Sequence, residues 1–124
     1  MKPTVLIVED EKPLQNAIQD KLIKEGFDTV TARSVGQSLD MLKEIKKIDV
    51  VWLDHYLIGR ENGLDFVKEM KSNEEWKCIP IFIVSNTATA GKVKRYLELG
   101  IEKYYVKAEH RLDEIIKEVK KCLL

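Results

Sequence analysis

Four groups capable of chemistry stand directly behind short apolar runs. Glu9, Asp10 and Glu11 follow "TVLIV", Asp54 follows "DVVWL", Ser85 follows "IPIFIV" and Lys107 follows "KYYV". Taken singly, each has an ordinary explanation. Acidic residues after a strand favour the positive end of the next helix. Ser85-Asn86-Thr87 suits loop and cap chemistry, and one lysine near a helix start is commonly just solvated. Together they are far more specific, because separate strands would deliver them to a single place.

Electrostatics says what that place needs. Two carboxylates about 4 Å apart repel by roughly 4 kcal/mol at an effective dielectric near 20. Clustering Asp10 and Asp54, with Glu9 nearby, therefore costs stability unless a cation offsets it. Hard oxygen donors without histidine or cysteine favour Mg²⁺, with Mn²⁺ as the alternative. Lys107 supplies a second positive charge and Ser85 a hydrogen-bond donor. A divalent cation, an ammonium and a hydroxyl around one carboxylate are what a phosphoryl group on that carboxylate requires.

The elements that must position these groups follow from periodicity. Residues 4–8, 27–31, 49–53, 79–84 and 103–106 read as strands, three of them almost continuously apolar, as burial on both faces demands. Between them lie helical stripes. Leu14, Ala17, Ile18 and Leu22 share a face, started by Pro13 and stopped at Gly26. Ser34 and Gln37 form a capping box ahead of Leu39, Leu42 and Ile45. Phe66, Val67 and Met70 form a third stripe; Val93, Tyr96 and Leu97 a fourth that ends at Gly100. Leu112, Ile115, Ile116, Val119 and Leu123 form the longest. Five β-α units in succession predict an α/β domain with a parallel sheet, right-handed crossovers and helices on both faces. Ligands of such sheets bind beyond the carboxyl ends of the strands.

Composition narrows the class. With 124 residues, the chain reads as a single domain, residues 1–124, without an attached output domain. Lys+Arg and Asp+Glu both number 21, so no net charge draws it to nucleic acid or to an anionic membrane. Cys78 and Cys122 lie far apart without metal-ligand spacing and read as reduced thiols. "TVLIV" is too short for the apolar core of a signal peptide. The expectation is a cytoplasmic domain that binds neither nucleic acid nor membrane directly.

The motifs resemble those of the receiver domain of two-component response regulators, similar to the stand-alone chemotaxis and phosphorelay regulators. "VLIVEDE" resembles the family's first strand with its acidic pair, Glu9 and Asp10; "VVWLD" resembles the third, ending on the phospho-accepting Asp54. "IFIVSN" matches the fourth strand with Ser85, and "KYYVK" the fifth, with Tyr104 at the aromatic switch position and Lys107 as the lysine. The resemblance implies a flavodoxin-like, doubly wound (βα)5 fold with sheet order 2-1-3-4-5. It also implies phosphoryl transfer to Asp54 from a phosphohistidine on a sensor histidine kinase or a histidine phosphotransfer protein. Mg²⁺ would be held by Asp10, Asp54 and the Tyr56 backbone carbonyl, with Glu9 on a metal water. Ser85 and Lys107 would bond the phosphoryl group. Ser85 and Tyr104 would then switch the surface of helix 4, strand 5 and helix 5 toward an unknown downstream protein. Such a domain is no conventional enzyme, but it assists its own phosphorylation and dephosphorylation.

The chain departs from that pattern in three places. Ile58 holds a position usually occupied by proline, and Gly63 comes nine residues after Asp54 rather than eight, so the loop "YLIGREN" is one residue longer. Ala108 replaces the proline that commonly follows the lysine; a cis bond there would cost about 3 kcal/mol, so trans is expected. Asn86 stands where a smaller residue is usual. These departures motivate an alternative, a pseudo-receiver acting as a phosphorylation-independent interaction or dimerisation module. A phosphatase of the aspartate-nucleophile type is disfavoured, because Tyr56 occupies the place of its second aspartate. His55 adjoins Asp54, but neighbouring strand side chains point to opposite faces, so it is not expected to handle phosphate.

Overall fold

A computed structural model describes residues 2–123; Met1 and Leu124, the limits of the expected domain, lie outside the described residues. Strands β1 (Thr4–Val8), β2 (Asp28–Ala32), β3 (Val50–Leu53), β4 (Ile81–Ser85) and β5 (Lys103–Val106) alternate with five helices. The helices are α1 (Lys12–Lys24), α2 (Val35–Glu44), α3 (Gly63–Lys71), α4 (Ala90–Glu98) and α5 (Leu112–Cys122). All pairings are parallel and the strand order is 2-1-3-4-5, the doubly wound arrangement expected from the motifs.

The near-continuous apolar runs occupy the three central strands, which are buried on both faces. Side chains alternate between two cores with the period of a strand. Leu6, Val8, Val51, Leu53, Ile81 and Ile83 face α2, α3 and α4 through Leu42, Phe66, Val67, Met70 and Tyr96. Val5, Ile7, Val50, Trp52, Phe82 and Val84 face α1 and α5 through Ile18, Leu22, Ile115, Ile116 and Val119. Each such fully buried aliphatic side chain contributes roughly 1.5–3 kcal/mol. The adjacent tyrosines of β5 divide likewise. Tyr105 stacks on Phe82 in the second core, and Tyr104 packs against the first.

Several local details differ from expectation, each for a visible reason. β2 starts one residue later than predicted, at Asp28, because Phe27 turns into the second core as the lead-in. β4 starts at Ile81; Pro80 has no N–H for the ladder, although its carbonyl accepts from Val51 N at 3.0 Å. Ser34 caps α2 by accepting from Gln37 N, but the Gln37 side chain reaches past it to Arg33 N at 2.8 Å. A full capping box, not anticipated, starts α3: Asn62 accepts from Leu64 N and Asp65 N, and Asp65 accepts from Asn62 N. In α4 the expected stripe is narrower. Tyr96 is buried but Leu97 is 53 % exposed, because α4 lies against α3 and β5 near the side of the sheet and turns only one row inward.

The loop after β3 closes tightly onto α3. Gly63 N donates to the His55 carbonyl at 2.9 Å. A Cβ at Gly63 would fall on the Tyr96 hydroxyl and lie 3.0 Å from the Asp54 carbonyl oxygen and 3.1 Å from His55 Cα. Gly63→Ala should therefore destabilise the fold by about 1–3 kcal/mol, measured by urea unfolding. In a Tyr96→Phe background, where the hydroxyl is gone, the loss should be smaller; wild-type stability of the single variant would contradict this packing.

Candidate functional site: a buried carboxylate rim

Backbone bonds set the rim before any side chain acts. Asp54 N donates to the Val8 carbonyl at 2.9 Å, Glu9 N to the Ala32 carbonyl at 3.1 Å, and Lys107 N to the Ser85 carbonyl at 2.8 Å. These bonds hold the ends of β1, β3, β4 and β5 at one edge of the sheet. Gln15, buried in the first turns of α1, donates its Nε2 to both the Glu9 and Ala32 carbonyls at 3.1 Å. Glu9, Asp54 and Ser85 are consequently buried side chains, while Asp10 stays partly open to solvent.

The expected residues do come together. One carboxylate oxygen each from Glu9, Asp10 and Asp54 lies within 4.8 Å of the others. Lys107 Nζ donates to Glu9 Oε1 at 2.8 Å and to Asp54 Oδ2 at 3.4 Å. Among the described residues, Asp54 Oδ1, Ser85 Oγ and Tyr105 Oη are buried without a hydrogen-bond partner. The first two belong to this rim, on neighbouring strands. A buried polar atom without a partner costs about 1–3 kcal/mol, so the rim carries hydrogen-bonding capacity that its own side chains do not use.

Charge is unbalanced as well. Burial pushes the Glu9 carboxyl up to about 7, with the Asp54 charge adding to the rise, against the opposing pull of the Lys107 hydrogen bond. Burial also raises Asp54, with Lys107 opposing. For Lys107, burial works against the ammonium, but the Glu9 hydrogen bond and the Asp54 charge outweigh it and hold the group above the usual lysine value. One firmly charged ammonium thus serves two buried carboxylates. A set of oxygen donors with one buried, unpartnered carboxylate oxygen fits a hard divalent cation such as Mg²⁺.

Around the rim, the structure adds partners that sequence reasoning missed. Glu9, expected only at a metal water, is directly paired with Lys107. Tyr56 exposes its side chain; Lys92 Nζ sits 4.8 Å from its ring centroid and donates to Tyr56 Oη at 3.3 Å and Thr87 Oγ1 at 2.6 Å. Lys92 thereby links α4 to the loops that follow β3 and β4. Tyr104, half-buried, donates its hydroxyl to the Thr87 carbonyl, and its ring lies 5.8 Å from that of Tyr96. His55 turns away from Asp54 as expected, placing Nδ1 2.6 Å from the Tyr96 hydroxyl. Asn86 is exposed beside Ser85, and the Lys107–Ala108 peptide is trans. No sequence signal marks the pairings Glu9–Lys107, His55–Tyr96 and Tyr56–Lys92, which join residues distant along the chain.

The chain is thus a parallel doubly wound domain with an acidic, lysine-bearing rim at its strand ends. The chain matches the response regulator receiver domain over residues 5–120 and belongs to that family. Its fold is similar to a response regulator receiver protein from Pseudomonas putida, at 24 % identity and TM-score 0.90, with 98 % of each chain covered. It is also similar to the Vibrio cholerae chemotaxis protein CheY4, at 20 % identity and TM-score 0.88, covering 100 % of both chains. A third similar structure is the phosphorylated cyanobacterial phytochrome response regulator RcpA, at 22 % identity and TM-score 0.83, covering 98 % of this chain and 91 % of that one. Among the described residues no helix is long and apolar enough to cross a membrane.

The raised Glu9 carboxyl has a consequence in metal-free buffer. Between 4.5 and about 7 the folded chain holds a proton at Glu9 that the unfolded chain has released. Stability is therefore greatest at the acidic end of that window and falls as pH rises through it. In EDTA, the wild-type melting temperature relative to that of Glu9→Gln should decline across this range. Parallel curves for the two proteins would contradict the shift.

Proposed function

We propose that this receiver accepts a phosphoryl group on Asp54 from a phosphohistidine of a sensor histidine kinase or a histidine phosphotransfer protein. The observation that carries the reading is the buried Asp54 carboxylate, with Oδ1 unpartnered and Oδ2 3.4 Å from Lys107, beside the unpartnered Ser85 hydroxyl. As a carboxylate, Asp54 attacks phosphorus, the bond to the imidazole nitrogen breaks, and an acyl phosphate forms. Lys107 and Ser85 donate to the phosphoryl oxygens, and Lys107 shifts part of its hydrogen bonding from Glu9 toward the new anion. Asp10, Asp54 and the Tyr56 backbone carbonyl would hold Mg²⁺, with Glu9 on a metal water. The cation supplies electrostatic neutralisation of phosphoryl charge in a site that otherwise repels an anion. Water attack on phosphorus releases phosphate and restores the carboxylate.

The downstream consequence would pass through Ser85 and Tyr104. A Ser85 hydroxyl drawn to the phosphoryl group shifts the end of β4. Tyr104, now bonded to the Thr87 carbonyl two residues beyond Ser85, would lose or exchange that partner. The surface of α4, β5 and α5 then changes toward a protein partner. That RcpA has been observed phosphorylated, on the same fold, supports this reading.

Incubation with acetyl phosphate and Mg²⁺ should add one phosphoryl group to the wild type by intact-protein mass spectrometry. Asp54→Asn, and wild type in EDTA, should add none. A wild-type spectrum without added phosphate would contradict the reading and favour an interaction module that works without phosphorylation.

A further inference from the structure

The loop behind Asp54 carries an isoleucine at 58, and its backbone has a definite use. Ile58 N donates to the Arg33 carbonyl at 3.0 Å. A proline there could not make this bond. From the opposite side of the same residue, the Arg33 guanidinium reaches across the rim. Nε and Nη2 donate to the Asp10 carbonyl oxygen at 3.0 and 2.7 Å. Arg33 N is itself held by Gln37 Oε1 at 2.8 Å. A single residue between β2 and α2 thus joins the β1–α1 loop, which carries Asp10, to the β3–α3 loop, which carries Tyr56.

We propose that Arg33 is a positioning residue for divalent-cation binding, setting the backbone at Asp10 and, through Ile58, the segment that presents the Tyr56 carbonyl. The inference rests on reading the rim as a Mg²⁺ site. Its physical basis is a conflict of signs. A guanidinium beside Asp10 repels an incoming cation, so charge alone predicts that removing it tightens Mg²⁺ binding. Its two-donor fork on one carbonyl, together with the Ile58 bond, orders two ligand-bearing loops before the cation arrives. Loss of that order predicts weaker binding. The lengthened loop without proline is thereby braced from outside, by a contact from the neighbouring crossover, instead of by its own ring.

Isothermal titration of Mg²⁺ into wild type, Arg33→Met and Arg33→Lys separates the two effects. Arg33→Met should weaken binding by about three- to tenfold. Arg33→Lys keeps the charge but not the fork, so a weakening there, expected at about twofold, reports position alone. Amide exchange at Ile58 should accelerate in Arg33→Met with or without Mg²⁺, and the Lys variant carries the test if Arg33→Met does not fold. Binding by Arg33→Met as tight as wild type, or tighter, overturns the inference while leaving the Mg²⁺ site intact. A wild type that takes up no Mg²⁺ overturns both.

Discussion

The structure depends on a shortage of positive charge at one buried edge. Glu9 and Asp54 are both withdrawn from water, and among the described residues Lys107 is the one cation that pairs with them; the further bond to Glu9, from the Glu11 amide at 3.1 Å, brings no charge. Removing the one ammonium from such a buried group is strongly destabilising, because uncompensated negative charge remains. Lys107 therefore cannot be spared, yet it cannot satisfy both carboxylates. The rise of Glu9 and the unpartnered oxygen of Asp54 are two signs of one imbalance. A domain whose only need was stability would gain by apolar residues here.

The fold supplies this edge with little freedom. Order 2-1-3-4-5 sets β1 between β2 and β3, so the acidic ends of β1 and β3 are neighbours. β4 and β5 follow on the same side, carrying Ser85 and Lys107. Any parallel register shifted by one residue would turn Asp54 away and His55 inward. His55 instead faces the α4 side, where its ring meets Tyr96 beneath the glycine that starts α3. The same strand end thus carries a carboxylate on one side and a contact with α4 on the other.

Much of this was legible from sequence because it is local. Each rim residue directly follows an apolar run, and strand period alone tells which neighbour faces away. What could not be read are contacts made across the chain. Glu9–Lys107 spans 98 positions, His55–Tyr96 spans 41 and Arg33–Asp10 spans 23. Arg33 has no pattern to mark it, since an arginine after a strand reads as a solvated charge. Ile58, where proline is usual, reads from sequence only as a departure from the family pattern. Its amide donates to the Arg33 carbonyl, a bond that proline could not make. Leu97 fitted a helical stripe by spacing, but spacing carries no information on how wide a face the sheet can cover.

The charge shortage is the central claim, and the melting temperatures of wild type and Asp54→Asn test it most directly, in EDTA and in Mg²⁺. Removing one buried negative charge while keeping the side-chain shape should raise the melting temperature in EDTA. Mg²⁺ should then stabilise the wild type more than the variant. An Asp54→Asn protein that melts at or below wild type in EDTA, with an equal response to Mg²⁺, would contradict the account.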